Sequence, residues 1–448
     1  MKKLLADLPS LRRAAREIFD RALKSVDAGE AVRRAVSLEG SRLELVDTNI
    51  SLAHNRAGVY SVAVGKAARP MASALSEALG ERLTAGVVAA PASEVLLPDC
   101  WRVFAGGHPL PNIESLNAAR AAFELLRRAN VESAPVIFLI SGGGSAMMEW
   151  PRDERTTLDE LRAMNEALVS CGASIGEINC VRRAVSAVKG GGLARLAPNC
   201  DQVSLIVSDT NAKDEASVAS GPTFEETHED VTAADVITRH RLETKLPESI
   251  LRAVRSHGRA TSPNPARALR QHYVLLDNGS ALASAADAAR SLGFAVEVAR
   301  DVIEQPIAEG CAALLNRLLS RRADARRGAC LISGGEFACP VRGGGVGGRN
   351  TESALRWAIE LDALAKSGAV LPHTVALSAG TDGVDGNGPA AGAVADETTV
   401  ERARQIGLDA RRFLDDSNAY AFFGALGDAI VTGPTGTNVR DVRIMLAG

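Results

Sequence analysis

Aromatic residues are scarce in this sequence, paired cysteine motifs are missing, and neither sign of charge prevails. Three Trp, three Tyr and ten Phe make up 4% of the 448 residues, too few for a stacking platform for single-stranded nucleic acid. A formal net charge of −3 leaves no basic footprint for a polyanion. Any anionic ligand must therefore be met by a few placed cations and by backbone amides. The seven cysteines (100, 171, 180, 200, 311, 330 and 339) form no C-x-x-C pair, which argues against structural zinc and thioredoxin-like chemistry. An odd set of scattered thiols in so long a chain fits a reduced, cytosolic setting. No apolar run reaches membrane-spanning length free of charges. The opening MKKLLADLPSLRRAAREIF breaks its apolar residues with Asp7, Pro9, Arg12 and Arg13, the pattern of an amphipathic helix and not of a signal peptide.

What the sequence does have is alternation. Short β-branched runs at 59–64, 86–90, 136–140, 203–207, 273–276, 295–299, 330–333 and 374–378 alternate with Ala/Leu/Arg-rich stretches such as 280–293 and 351–368. This is the signature of an α/β protein with parallel sheets flanked by helices. The chain exceeds one comfortable core, so two domains are expected. The polar segment RSHGRATSPNPARALR (255–270) interrupts the alternation and places the boundary near 262/263, giving domains 1–262 and 263–448. A final strand, VRIML, follows the glycine-threonine loop TGPTGTNVRD.

The loops after the strands carry the chemistry. They read GKAARP, SGGGSA, SDTNAKD, SGGE and SAGTDGVDG, and functional groups in open α/β sheets gather outside the carboxyl ends of strands. SGGGSA (Ser141, Gly142, Gly143, Gly144, Ser145) offers unobstructed amides that suit an anion nest, although a tight turn needs the same glycines. Lys66 lacks the glycine spacing of a phosphate loop and reads either as a surface residue at a helix start or as a placed cation. Asp209 and Asp382 each follow a strand, where a hard cation could bridge carboxylate and phosphate oxygens, while turn chemistry alone also favours Asp there. Arg182, Ser186 and Lys189 fall at i, i+4 and i+7 of one helical pattern. His108 sits in a proline-bracketed loop and reads as structural. GGGVGG (343–348) literally satisfies G-x-G-x-x-G, but the acid expected about 20 residues on at the next strand tip is replaced by Gly380, and ACPVR before it reads as a hairpin arm. Arg349 and Asn350, between these glycines and a helix start, suit an oxyanion grip.

The phrases VGKAARPMA, GGHPLPN, LISGGGSA, INCVRRAVSAVKGGGLA, SDTNAKDEASVASGPT, SGGE, GGRNTESAL, SAGTDGVDG and TGPTGTNVRD, in that order from 64 to 441, together resemble the glycerate 2-kinase family of MOFRL type, formerly labelled hydroxypyruvate reductase. The resemblance implies two αβα sandwich domains with mostly parallel sheets and the site in the cleft between them. It implies an ATP- and Mg2+-dependent kinase acting on the 2-hydroxyl of D-glycerate or a closely similar hydroxy-acid, with no nucleic-acid or membrane partner and with a homodimer left open. By that pattern Lys66, Asp209, Arg349 and Asp382 are catalytic, and Asp209 and Asp382 hold the metal. The matching loops assign Ser141 to Ser145, Arg182, Lys189, Gly334, Glu336, Gly347, Gly348, Asn350, Asp385, Thr437 and Asn438 to substrate or nucleotide binding. The chain departs from the family pattern at Asn112, at Asn211-Ala212 and near Arg440. The alternative is an NAD(P)-dependent hydroxypyruvate reductase, for which the ribose-binding acid is lacking.

Overall fold

The computed structural model describes residues 7–52, 58–211, 214–225, 231–257, 268–324, 328–368 and 372–448. They form two compact units, Ala28–Leu275 and Met1–Asp27 with Leu276–Gly448. The chain opens with helix α1 (Leu8–Ser25), capped by the Asp7 carboxylate on the Ser10 amide at 2.7 Å. Its buried stripe of Leu11, Ala14, Ala15, Ile18, Phe19 and Ala22 packs against the helix Asn278–Ser291 of the carboxyl-terminal unit. Burying Ile18 and Phe19 alone contributes roughly 1.5–3 kcal/mol each. Arg12 adds ion pairs to Asp396 and Asp428 at 3.1 and 2.7 Å. The unit division thus differs from a cut at 262/263 at both ends. Residues 7–27 join the second unit because it covers their apolar face. Residues just before 276 stay with the first because their strand extends its sheet. The cut itself, and most of the polar segment expected to connect the domains, lies outside the described residues.

The first unit begins with a small antiparallel sheet of β1 (Val36–Glu39), β2 (Arg42–Leu45) and β3 (Thr48–Ser51). Its main sheet contains β4 (Val59–Val64), β5 (Leu83–Ala90), β6 (Trp101–Ala105), β7 (Val136–Ser141), β8 (Gln202–Val207) and β9 (Arg270–Leu276), in the order β6-β5-β4-β7-β8-β9. Strands β6 through β8 pair in parallel. β4, β7 and β8 are buried along their whole length, which is why they read as unbroken apolar runs. After β4 the chain winds outward through β5 and β6 on one side, then through β7, β8 and β9 on the other. The winding therefore reverses between β4 and β7, and an open α/β sheet binds its ligand at the carboxyl ends of such a pair. Helices α2 (Ala68–Leu79), α3 (Ile113–Glu132), α4 (Gly144–Met147) and α5 (Ile175–Val185) belong to this unit.

The second unit places β10 (Ala295–Ala299), β11 (Ala329–Gly335), β12 (Thr374–Gly380), β13 (Gly392–Asp396), β14 (Ala429–Ile430) and β15 (Asp441–Ala447) in the order β10-β11-β15-β12-β13-β14. Among the described residues only the strands β10 and β11 form a parallel pair; the last strand β15 is inserted antiparallel between β11 and β12. β10, β11, β12 and β14 still run in one direction. Helices α6 (Asn278–Ser291), α7 (Arg349–Lys366) and α8 (Ala419–Leu426) pack around this sheet. Each expected strand falls within an observed one. The ACPVR stretch is no hairpin arm: Ala338 makes an isolated bridge to Pro306, and 339–342 is loop.

Candidate active site

In the first unit the three adjacent strands β4, β7 and β8 bring Lys66, the SGGGS loop and Asp209 to one edge of the sheet. Gly65 takes φ 112°, and a Cβ there would run into the Ser141 carbonyl. That close approach lets the Lys66 amide donate to Gly142 O at 2.9 Å. Gly143 takes φ 80°, and a Cβ on it would lie 3.2 Å from His108 Cδ2 and 3.3 Å from Lys66 Cγ. The glycine loop, the half-buried Lys66 and the exposed His108 loop therefore meet at the point where the winding reverses. Half-buried Asp209 follows β8 one strand further along.

Other expected residues here serve as struts. Ser141 is fully buried; its Oγ accepts from the Ala67 amide at 3.0 Å and donates to Val64 O at 3.3 Å. The Ser145 and Ser220 hydroxyls share a hydrogen bond of 2.8 Å, and Ser220 also donates to Asn179 Oδ1. Arg182, Ser186 and Lys189 do not share a helix face, because α5 ends at Val185 and Ser186 is already extended. Lys189 is 1% exposed and its ammonium pairs with Glu149, which also accepts from Ser186 Oγ at 2.5 Å. Burial pulls Lys189 below its ordinary pKa while Glu149 opposes the shift. Its charge is thus neutralised inside the protein, tying the end of the SGGGS loop to the start of the KGGG loop. Arg182 Nε donates to Asn165 Oδ1 at 2.8 Å. Asn112 is explained by folding alone: it caps α3 with Ser115 in a reciprocal pair.

The second unit centres on Asp441, a residue the sequence reading passed over. It is fully buried at the start of β15. Arg349 binds both its oxygens, Nε to Oδ2 at 2.6 Å and Nη2 to Oδ1 at 3.2 Å. Asn350 Nδ2 donates to Oδ1 at 2.8 Å, and Arg443 lies 3.6 Å away. Burial alone would push this carboxyl up, but Arg349 wins and holds it below the ordinary carboxylate range. Burial likewise opposes the Arg349 charge, and Asp441 and Glu336 outweigh it and raise its pKa. Glu336, half-exposed, lies 2.9 Å from Arg349 Nη2. The two carboxylates differ in strength: a partly exposed pair contributes about 0–1 kcal/mol, whereas breaking a buried one costs about 3–5 kcal/mol. The signal for Asp441 in the sequence was only its position, an acid opening a buried strand three residues after a threonine-asparagine turn.

Three expectations for this unit change. The room beside Gly334 and Gly335 is filled from within, since Asn278 Oδ1 occupies the space a Gly334 Cβ would need and accepts from the Gly335 amide at 3.1 Å. The start of α7 is no open oxyanion grip, because Asp385 accepts from the Asn350 amide (2.9 Å) and from the Thr351 amide and hydroxyl (2.8 and 2.7 Å). Burial pushes Asp385 up to about 6 against those donors. The glycines of GGGVGG serve loop packing: a Cβ at Gly343, Gly345 or Gly348 would strike Asp416, Asn418 or Asp385. With that, the feature favouring a dinucleotide site loses its force.

Asp382, half-buried, follows β12; its Oδ1 accepts from the Val384 amide at 3.1 Å. A Cβ on Gly380 would sit 3.1 Å from Asp382 Oδ1 and 3.5 Å from Asp441 Oδ1, so the two carboxylates flank one strand end. Thr437 is 3% exposed and its Oγ1 has no hydrogen-bond partner among the described residues. Asn438 Oδ1 accepts from the Arg440 amide, and Arg440 pairs with Glu304 at 2.6 Å. Part of the SDTNAKD loop, Ala212 and Lys213, lies outside the described residues. Among the described residues no three His, Cys, Asp or Glu cluster as a metal cage. Mg2+ normally takes one or two carboxylates and completes its shell with phosphate oxygens and water. Asp209 and Asp382, each half-buried after a strand of its own unit, each offer a carboxylate of that chemistry. No helix among the described residues is long and apolar enough to cross a membrane.

Residues 14–255 match a family model described as a domain of unknown function, DUF4147, and residues 329–441 match the MOFRL family. A protein named D-glycerate 2-kinase from Thermotoga maritima is 33% identical over 98% of this chain and 99% of its own. A protein from Agrobacterium vitis bearing a provisional hydroxypyruvate reductase name is also 33% identical, over 98% of this chain and 95% of its own. The crystal structure of a glycerate kinase from Thermotoga maritima superposes with a TM-score of 0.79 at 31% identity, covering 98% of this chain and all of that one. Similarity of this extent, at both the sequence and the fold level, means that the chain belongs to the MOFRL-type glycerate kinase family.

Proposed function

We propose that this enzyme transfers the terminal phosphoryl group of ATP to the 2-hydroxyl of D-glycerate, or of a closely similar small hydroxy-acid, giving 2-phosphoglycerate and ADP. The observation that carries the reading is the arrangement at the β4/β7 winding reversal, where Lys66 lies against a bare glycine loop at the carboxyl ends of a parallel sheet. Family membership supports the same reading. Phosphoryl transfer asks little covalent chemistry of a protein and depends on positioning and on neutralising charge. Lys66 and Arg349 would steady charge on the transferring group, while Gly142 to Gly144 give backbone access. Asp209 and Asp382 would hold Mg2+, which when bound neutralises phosphate oxygens. Thr437 offers a spare hydroxyl, and Asn438 lies beside it. Lys189, Asp385 and Ser141 would support these groups from within. We assign the enzyme to the cytoplasm, where its free thiols stay reduced.

The reductase reading is not favoured, since its glycine motif is explained by packing. One assay separates the two: D-glycerate with Mg-ATP, the product identified by its phosphate position, against hydroxypyruvate with NADH or NADPH. ATP-dependent formation of 2-phosphoglycerate that stops with excess chelator and returns with Mg2+ or Mn2+ is expected. Coenzyme oxidation without phosphorylated product would overturn the kinase reading, and full activity in chelator would remove the metal from it.

A further inference from the structure

The second unit contains a cavity of about 410 Å³ whose wall includes Arg349. Phe337, Pro340, Val341 and Ala419 give it apolar surface. Its other charged residue, Glu352, is spent: Arg342 and Arg356 reach its Oε1 at 3.2 and 2.7 Å, and the Cys339 thiol its Oε2 at 3.3 Å. The glycine loop forming part of the wall is pinned on several sides. The Val346 amide donates to Asn418 Oδ1 at 2.9 Å, the Gly347 amide to Asn387 Oδ1 at 2.9 Å, and the Arg342 amide to Ser417 Oγ at 2.9 Å. The cavity is thus built in advance, with its backbone polar groups largely satisfied. Val341 stands in the wall 82% exposed, so it leaves apolar area for a bound molecule to cover.

We propose that this cavity takes the nucleoside part of the phosphate donor, with the donor's phosphates turned toward Arg349; the proposal rests on the kinase reading given above. The volume lies within the range of small-molecule sites. A three-carbon hydroxy-acid has no apolar surface to set against Phe337, Pro340 and Val341 and would leave most of the space empty. A flat heterocycle on a ribose brings both area and an attached anion. Arg349 meets that anion with the face that now holds half-exposed Glu336, the weaker of its two partners.

The test uses the full-length enzyme with Val341→Asp, a change at an exposed loop position that leaves the core untouched. Losing apolar contact and adding a carboxylate beside the donor should raise the KM for ATP and the calorimetric Kd for ADP by about tenfold or more, since 1.4 kcal/mol is one decade. The KM for D-glycerate should stay within about twofold, far below one decade. Unchanged donor constants in a variant that melts like the parent would overturn the assignment. So would a rise confined to the D-glycerate KM, which would give the cavity to the acceptor. The two readings fail separately. ADP binding weakened by Val341→Asp in a protein that never phosphorylates glycerate upholds the cavity and sinks the kinase. An active kinase indifferent to Val341→Asp does the reverse.

Discussion

The same short phrase, Ser-Gly-Gly, closes a buried strand in each unit, and the two ends use it in opposite ways. After β7 the glycines border Lys66 and His108, and a side chain at Gly143 would press on both. After β11 the equivalent space belongs to the unit itself: Asn278 takes the place beside Gly334, and Arg443 caps the Ser333, Gly334 and Gly335 oxygens from within. A bare strand end therefore announces that something approaches the backbone, without saying whether it is a ligand or a neighbouring side chain. The two candidate cations differ in the same sense. The Lys66 backbone is set by its amide bond to Gly142 O, while the Arg349 guanidinium is held by Asp441.

The largest effects should come from those cations. Lys66→Ala and Arg349→Ala are each expected to lower kcat by about 10²–10⁴, because charge stabilisers act chiefly in the transition state. Their stabilities should diverge. Lys66→Ala removes a half-buried side chain outside the core and should leave the melting curve near that of the parent. Arg349→Ala strands Asp441 in the interior and should cost about 3–5 kcal/mol. Asp441→Asn should sit at the mild end of that range in turnover, lowering kcat by about 10²-fold through a misplaced guanidinium with a smaller change in KM. Steady-state kinetics beside thermal melts decide each case. Wild-type turnover in Lys66→Ala at saturating substrates would remove the first strand end from catalysis.

Much of this was legible in the sequence, for a physical reason. Strands buried on both faces must be apolar throughout, so β4, β7, β8, β11 and β12 could be read directly, and so could the loops that end them. Partner assignments could not. Lys189 looked like a ligand-facing cation because Glu149, forty residues earlier, carries no mark of being its counter-ion. Asp385 looked like a site acid, whereas it caps a helix that begins at Arg349. Asp441 was missed because its role depends on β15 being threaded between β11 and β12, and its pairing with β11 joins residues as far apart as Gly335 and Asp441. The place of α1 was hidden for the same reason, since an amphipathic stripe states that it is covered but not by which unit.

The contrast between the strand ends is sharpened by one substitution in each. Gly334→Ala should overpack against Asn278 and destabilise by about 1–3 kcal/mol, with turnover per folded molecule close to that of the parent. Gly143→Ala asks a residue with a Cβ to adopt φ 80°, costing about 1–2 kcal/mol. It also crowds Lys66, so kcat should fall roughly tenfold through displacement of the cation. Paired melts and kinetics at a permissive temperature read both. If Gly334→Ala were the variant that lost turnover while Gly143→Ala kept it, the functional roles assigned to the two ends would have to be exchanged.

The smallest effect separates the two carboxylates on Arg349. Glu336 is half-exposed and its pair with Arg349 belongs to the class worth about 0–1 kcal/mol, yet it occupies the side of the guanidinium from which an anion would come. Glu336→Gln keeps the size and hydrogen-bonding reach of the side chain and deletes its charge. If Glu336 only holds the place of a phosphate, the variant should bind ADP up to about fivefold more tightly, the equivalent of the whole pair energy, and the gain should shrink at high salt as screening weakens the competition. If Glu336 contacts the bound ligand instead, the same variant should bind more weakly. Calorimetry at two ionic strengths distinguishes these outcomes by sign. Tighter binding makes Arg349 a site held closed by a replaceable carboxylate, while Asp441 stays fixed behind it. Weaker binding would mean that Glu336 remains in the site with the ligand, and the division of labour between the two carboxylates would then be wrong.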